Sequence, residues 1–509
     1  MRVVTFASPQ GRWLLLASIL GSGLAGIDAT VVNVALPAIG RSFDTSFTTL
    51  QWTVTAYAFT LAAFILLGGG LGDRFGRRRV FVVGVVWFAL ASLLCGLAPS
   101  AGVLVAARAL QGLGAALLTP GSLAMLQASF VPEDRARAIG TWSGLGGVAT
   151  AVGPFLGGWL VDVASWRWVF LINLPLAAVV VAVAVRHVPE TRDPRAAPSL
   201  DPWGAVLGAV ALGGLSFGLI EAGSGGALAL PAGVLGLVAG VAFVLVERRS
   251  AHPMLPPEVF RSAQFTAANA VTFVAYAAIG VAFFLLVIDL QVVAGYGPIA
   301  AGTSLLPITL VMLALSSRSG ELAARIGPRR QMAVGPLVCA LGFLLLLRVD
   351  RDTSYLLDVV PAVLVIGLGL ATMVAPLTAT ALASAPDEHA GLASGVNNAV
   401  ARTGGLVAVA GIPALAGLDG RVYDDPVAFA DGFAVALWVS AGLMVVAGVL
   451  AALGIRDTVL ETAPAEEPAP KEHLRQLSHC GLGAPPLATC CDDEGHTDCE
   501  QHALAHGTG

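Results

Sequence analysis

Charge is scarce in this chain: 12% of its 509 residues are Asp, Glu, Lys or Arg, against about 25% in an ordinary soluble domain. That shortage excludes a typical soluble enzyme. Lysine is nearly absent, with Lys471 standing alone, and 28 basic residues against 33 acidic ones leave a net charge of −5. The basic stripe needed to grip a phosphate backbone is missing, so nucleic acid drops out as a partner. Cysteine is equally sparse. Cys95 and Cys339 fall in apolar stretches, while Cys480, Cys490, Cys491 and Cys499 fall near the C-terminus, and no disulfide framework is implied. No His/Glu ligand set or activated nucleophile stands within the apolar stretches, which argues against an enzyme.

What is abundant is apolar sequence: 56% of the residues are hydrophobic, gathered in long runs from Arg12 almost to Arg456. A helix needs roughly 20 apolar residues to cross the hydrocarbon core, because lipid offers an unsatisfied peptide group no partner. Windows of that length predict an all-α integral membrane protein with fourteen spans, at 13–37, 50–70, 80–98, 103–126, 138–161, 168–186, 203–222, 229–247, 264–288, 299–317, 331–348, 356–383, 391–416 and 432–455. The first run is too long for a cleaved signal peptide, and it holds Asp28 without a small-residue cleavage site. Alternate gaps counted from the N-terminus hold most of the arginines, among them Arg74, Arg77, Arg78, Arg79, Arg135, Arg137, Arg248, Arg249, Arg329 and Arg330. The other gaps hold Arg41, Arg167, Arg348, Arg351 and Arg421. The richer side is expected to be cytoplasmic, so both termini face the cytoplasm of a bacterial inner membrane. The abundance of Arg, Ala and Gly beside so little Lys points to a GC-rich bacterial genome.

The chain repeats itself. Gly69-Gly70-Leu71-Gly72-Asp73-Arg74-Phe75-Gly76-Arg77-Arg78-Arg79 after span 2 is echoed by Gly320-Glu321-Leu322-Ala323-Ala324-Arg325-Ile326-Gly327-Pro328-Arg329-Arg330 after span 10, at an offset of 251. Pro132-Glu133-Asp134-Arg135-Ala136 is echoed by Pro386-Asp387-Glu388-His389-Ala390 at an offset of 254. Two echoes at nearly one offset predict duplicated six-helix bundles. The expected divisions are 1–202 (spans 1–6 and the following loop), 203–247 (inserted spans 7 and 8), 248–456 (spans 9–14) and 457–509, a disordered tail. Duplicated bundles around a midplane cavity are a recurring plan for secondary transporters.

On these residues the sequence resembles the major facilitator superfamily and, within it, the fourteen-span drug:proton antiporter branch. The loop Gly69 to Arg79 resembles the superfamily's signature loop, and Ile27 to Pro37 resembles the first-span signature of that branch. Arg108-Ala109-Leu110-Gln111-Gly112 is similar to the span 4 motif, and Gly153-Pro154-Phe155-Leu156-Gly157-Gly158 to the antiporter motif of span 5, which usually has Gly where this chain has Ala149. Trp166 to Pro175 looks like the branch's approach to span 6. The resemblance implies a major-facilitator-type fold, two pseudo-symmetric six-helix bundles plus two inserted helices. It also implies efflux of drugs or antibiotics, self-resistance to a secreted metabolite included, driven by proton entry and needing no cofactor beyond the proton-motive force.

Single residues then acquire candidate roles. Asp28 lies well inside span 1, where an ionised carboxylate costs about 2.5–3.5 kcal/mol on insertion scales; it either carries the coupled proton or hydrogen-bonds neighbouring helices. Arg108 cannot lose its charge and needs an acceptor, so it serves proton coupling or bridges helices as structural glue. Gly69, Asp73, Arg74, Gly76, Arg77 and Arg78 set topology and are expected to form a cytoplasmic gate, with Asp73 facing the start of span 3. Ala324 replaces that acid in the second copy, so any latch there is weaker. Gly153, Pro154, Gly157 and Gly158 allow close helix approach and a bend that seals the outward face. Asn33, Tyr57, Gln111, Asn397, Asn398 and Arg402 are candidate substrate-cavity residues, and Trp52 reads as an interfacial anchor. Glu221 and Asp289 fall near outer span ends and are expected to be solvated, with a guard on an exit path as the alternative role for Asp289.

Span 10 holds no acid for dicationic substrates, so the expected partners are lipid, protons and a small lipophilic compound, neutral or monocationic, acting on a monomer. Two rival readings stand beside export: uptake of a solute by symport, and a membrane-anchored metal sensor using the Cys/His-containing tail. The tail lacks a Cys-x-x-Cys or His-x₃-His pair, so no metal site is assigned.

Overall fold

The computed structural model describes residues 4–192, 201–250, 253–384, 390–420 and 422–457. Among them fourteen helices are long and apolar enough to cross a membrane, and no strand longer than a single bridge between Val4 and Phe130 forms. In order they are span 1 Pro9–Phe43, span 2 Phe47–Phe75, span 3 Arg77–Gly96, span 4 Ala101–Ser129, span 5 Glu133–Val163, span 6 Trp168–His187 and span 7 Pro202–Gly223. They continue with span 8 Ala229–Arg249, span 9 Ala263–Val292, span 10 Pro298–Ile326, span 11 Pro328–Arg348, span 12 Tyr355–Ala383, span 13 Ala393–Leu415 and span 14 Pro426–Gly454. The expected count holds, and most helices start earlier than their apolar runs. Polar caps explain the extension: Ser8, Ser46, Ser100, Asp201, Ser262 and Asp425 each accept a hydrogen bond from a first-turn N–H, and Pro9, Pro202 and Pro426 supply a preset first residue.

The duplication is visible as repeated packing. Span 1 lies on spans 5 and 6, span 4 on spans 2 and 3, and span 3 on span 6; the same neighbours recur as 9 on 13 and 14, 12 on 10 and 11, and 11 on 14. It is visible in the backbone as well. Gly76 (φ 114°) and Gly327 (φ 83°) break spans 2/3 and 10/11 in a conformation that side chains rarely adopt. Beyond each break a carboxylate caps the next helix: Arg78 N–H donates to Glu190 Oε1 at 3.1 Å and Arg329 N–H to Asp457 Oδ1 at 3.1 Å. A Cβ on Gly76 would stand 2.6 Å from Glu190 and one on Gly327 2.2 Å from Asp457, so both breaks require glycine.

Spans 7 and 8 form a hairpin whose span 7 lies against span 2 on one side and span 13 on the other. Phe59 packs over Gly213, Trp52 meets Phe217 with ring centroids 5.9 Å apart, and Leu219 packs on Gly411. Span 8 turns nearly all of its leucines and valines outward, as a lipid-facing helix should. The tail beyond Asp457, Arg421 and most of the Pro386–Ala390 echo lie outside the described residues.

Candidate functional site

Span 1 carries Asp28 into the middle of the first six spans, where the side chain has no exposure at all, and span 4 brings Arg108, 1% exposed, against it. Arg108 Nη1 donates to Asp28 Oδ2 at 2.5 Å and to Gln111 Oε1 at 2.6 Å, while Nε donates to the Thr53 carbonyl of span 2 at 3.0 Å. The guanidinium carbon sits 4.3 Å from the Tyr57 ring centroid, a cation–π arrangement. The other carboxylate oxygen, Oδ1, accepts from Gln111 Nε2 at 2.8 Å and from Asn173 Nδ2 at 2.9 Å. Gln111 and Asn173 also donate to Ser92 Oγ of span 3, at 2.7 and 3.3 Å. Five helices thus meet through one network. Asn173 reaches it because span 6 is interrupted at Ile172 between the segments Trp168–Leu171 and Asn173–His187.

Three donors converge on a single carboxylate. A proton added to Asp28 would bring a fourth hydrogen into a site already full of donors, so at least one partner must turn away. The network thus ties residues of five helices to one carboxylate.

The other candidate residues divide into groups. Tyr57 and Gln111, expected to line a substrate cavity, are enclosed in the Asp28 network at 3% and 0% exposure, because Arg108 draws both inward. Asn33 is half-buried with its Oδ1 unpartnered. Asn397 donates to Asn269 Oδ1 and Thr272 Oγ1 at 3.2 and 2.9 Å, and Arg402 Nε reaches exposed Asn398 at 3.2 Å. Trp52 is half-buried and donates to Glu221 Oε1 at 3.3 Å.

In the loop after span 2, Asp73 pairs with Arg77 Nη2 at 2.7 Å, and Arg77 Nη1 reaches the Ala124 carbonyl of span 4 at 3.2 Å. Gly69 lies beside Pro120, Arg74 stacks over Phe75, and Arg78 and Arg79 approach Glu190 at 3.7 and 3.8 Å. The described polar partners of this loop lie in the first six spans and in the segment 188–191 after them. Asp289 departs from expectation. It is 1% exposed, not solvated, because span 9 continues past it to Val292 and packs its end into the core.

The antiporter motif forms part of a seal. Gly153 and Gly157 lie on Thr30 and Val31 of span 1, while a Cβ on Gly158 would stand 2.5 Å from Ile299 Cα, and one on Gly302 2.1 Å from the Pro154 carbonyl. Only glycines let spans 5 and 10 touch there. The expected bend at Pro154 does not interrupt span 5, which stays helical to Val163. At the same face Gln51 donates to the Val409 and Ala410 carbonyls, Gln291 to the Val34 carbonyl at 3.1 Å, Phe47 N–H to the Gly420 carbonyl at 2.6 Å, and Tyr423 to Thr45. A hydrophobic cluster containing Val31, Leu36, Phe47, Phe284 and Phe429 closes the same region across both sets of helices. Toward the start of span 1, the buried cluster around Leu14, Phe81 and Met125 draws its buried residues from the first six spans and the segments that flank them, with Ala399 of span 13 packed against it. Gly140, Gly144, Gly146 and Gly147 of span 5 there face open space. The molecule is shut on the face away from the start of span 1 and the end of span 14.

Sequence reasoning missed Ser92, Thr53, Asn173 as a ligand of Asp28, and Glu190. Asn173 had a visible signal, an amide at the head of an apolar run. Thr53 acts through its carbonyl, which no side-chain pattern announces.

Comparison with known proteins gives a consistent answer. The model of the Major Facilitator Superfamily matches residues 18–409. The puromycin resistance protein pur8 of Streptomyces alboniger is 38% identical over 413 residues, 79% of this chain and 81% of that protein. The multidrug resistance protein Stp of Mycobacterium tuberculosis is 38% identical over 401 residues, 78% of this chain and 74% of its own. The tetracenomycin C resistance and export protein of Streptomyces glaucescens is 35% identical over 400 residues, 78% and 74%. Among solved structures, a D-xylose-proton symporter superposes with a TM-score of 0.62 at 14% identity, covering 89% of this chain and 99% of that one. Fourteen apolar helices, the repeated packing and these relatives agree, and the chain belongs to the major facilitator superfamily.

Proposed function

We propose that the chain is a proton-coupled exporter of small lipophilic compounds, neutral or singly cationic, drugs and antibiotics among them, working by alternating access in a bacterial cytoplasmic membrane. Both termini face the cytoplasm in this reading, so the shut face is the outer one and the conformation is loaded from inside. The observation that carries it is the buried network of Asp28, Arg108, Gln111 and Asn173, a titratable group tied to five helices. Relatives named for resistance to puromycin and tetracenomycin C, and for multidrug resistance, support the direction of transport.

The cycle follows from the geometry. With the outer face shut and Asp28 ionised, Arg108 is held and substrate binds between the halves, with Asn33, Asn397 and Arg402 as its proposed contacts. After the outer face opens, a proton reaches Asp28 and loosens Arg108. Return to the inner side releases that proton. Each charge moved through 100 mV supplies about 2.3 kcal/mol, and the pH gradient adds to it. No cofactor takes part, and a single chain suffices.

The test is reconstitution in proteoliposomes with an imposed pH gradient. A lipophilic cation such as ethidium, and a neutral antibiotic, should move against the proton flux. Movement with the protons would establish symport instead, and export unchanged in Asp28→Asn would reject the proton role.

A further inference from the structure

Span 9 ends in a carboxyl group that nothing answers. Neither oxygen of Asp289 has a hydrogen-bond partner, although the residue is 1% exposed. None of the ion pairs among the described residues includes it. One turn away along the helix stand Leu285, Leu286, Val292 and Val293. The acids and phenols at this end of the elements packed on span 9 are Asp44 after span 1, Tyr296 before span 10, and Tyr355 and Asp358 of span 12. Around spans 13 and 14 they are Asp419, Tyr423, Asp424, Asp425 and Asp431. None is bonded to Asp289, and the described cations of this face, Arg41, Arg167, Arg348 and Arg351, make no ion pair with it.

A bare carboxylate is so costly to enclose that such a group is neutralised instead. Position then gives the neutralisation a consequence. Two residues on, Gln291 donates to the Val34 carbonyl of span 1 at 3.1 Å; further along, Ile299 N–H donates to Asp162 Oδ2 of span 5 at 3.2 Å. The segment from Asp289 to Ile299 is therefore held at both ends by the first six spans. Parting of the halves at this face removes both holds and lets water reach the end of span 9.

We propose that Asp289 is a second proton-binding site, filled from the outer side, whose protonation accompanies closure of the outer face. The inference rests on the alternating access proposed above. Because that proton returns to the side it came from, it sets the ratio of closed to open outer faces and adds nothing to net transport. One proton bound in the closed form and none in the open form shifts that ratio by about tenfold per pH unit above the ordinary carboxylate range.

The test uses the full-length chain with its six cysteines replaced by alanine, spin-labelled at Ser42→Cys and Asp352→Cys, both exposed on the shut face. Distances between the labels are measured in lipid nanodiscs by double electron–electron resonance from pH 5 to pH 8. The parent should lose its short-distance population as pH rises, with a slope steeper than that of Asp289→Asn by about tenfold per unit. The variant should stay closed throughout. Asp289→Leu, matched to the surrounding leucines, is the second neutral form should the amide fold poorly. A parent distribution indifferent to pH, or an equal slope in either neutral variant, overturns the proposal. If ethidium is not exported while the slope difference stands, proton-driven export fails and the Asp289 site survives.

Discussion

Removing the charge of Asp28 should destabilise the fold more than removing the whole ion pair. In Asp28→Asn the amide oxygen takes the Oδ1 position, where it still accepts from Gln111 and Asn173. The amide nitrogen then faces Arg108 Nη1 across the 2.5 Å that now separates donor from acceptor. Arg108 keeps Gln111 Oε1, the Thr53 carbonyl and the Tyr57 ring, yet it is a buried cation without a counter-charge. Breaking a buried pair from one side costs about 3–5 kcal/mol, and the three surviving contacts argue for about 3 kcal/mol. Arg108→Gln alone leaves Asp28 two donors and should cost a similar amount. The double variant buries no charge and should lose less than either single variant, so the coupling between the sites is at least about 3 kcal/mol. Unfolding equilibria of the four proteins in mixed micelles, titrated with denaturing detergent and followed by helicity, measure that coupling. A value under about 0.5 kcal/mol would show the two sites independent and refute the reasoning. The double variant should fold without exporting ethidium against a pH gradient.

Gly158→Leu drives a side chain into Ile299 and Pro298, so the outer face cannot shut; export should fall more than tenfold with membrane levels unchanged, and a rate near that of the parent would sink the role given to the seal. Asn173→Ala takes one donor from Asp28 and one from Ser92, with a loss of about 1–3 kcal/mol in the same unfolding assay. Glu190→Gln weakens the cap on span 3 and its partly exposed pairing with Arg78 and Arg79; a loss of about 1 kcal/mol is expected, and one above about 3 kcal/mol would mean a larger role. Gln51→Leu cuts two bonds to the span 13 carbonyls, and should raise the reactivity of a cysteine placed at Val409 toward a water-soluble maleimide.

The architecture was legible because lipid imposes it: a peptide group without water must be paired within the chain, apolar runs of about 20 residues pair it as helices, the arginine spacing fits an even count, and Gly69–Arg79 with its echo gives the duplication. Helix ends were less legible, since Ser8-Pro9 or Asp425-Pro426 extends a helix beyond its apolar run by chemistry that hydropathy ignores. Asp28, Arg108 and Gln111 stood out as polar residues in apolar sequence, and the structure brings them together. Which of them face the space between the halves was not legible. Tyr57 and Gln111 turn toward Arg108 because a fixed cation draws every acceptor and ring within reach. Asp289 misled for the opposite reason: proximity to a span end suggests water, but the next turn of helix and its contact with Val34 keep water out.

The hairpin of spans 7 and 8 touches span 2 and span 13 together, and so plugs one of the two seams between the moving halves. Among the described residues the other seam, between spans 5 and 10, carries no such cover, and below its glycine contact span 5 faces open space. The two flanks of the molecule therefore differ, one covered by a helical hairpin and the other bare along span 5. In the export proposed above, lateral loading straight from the bilayer would have one side of the molecule on which to occur.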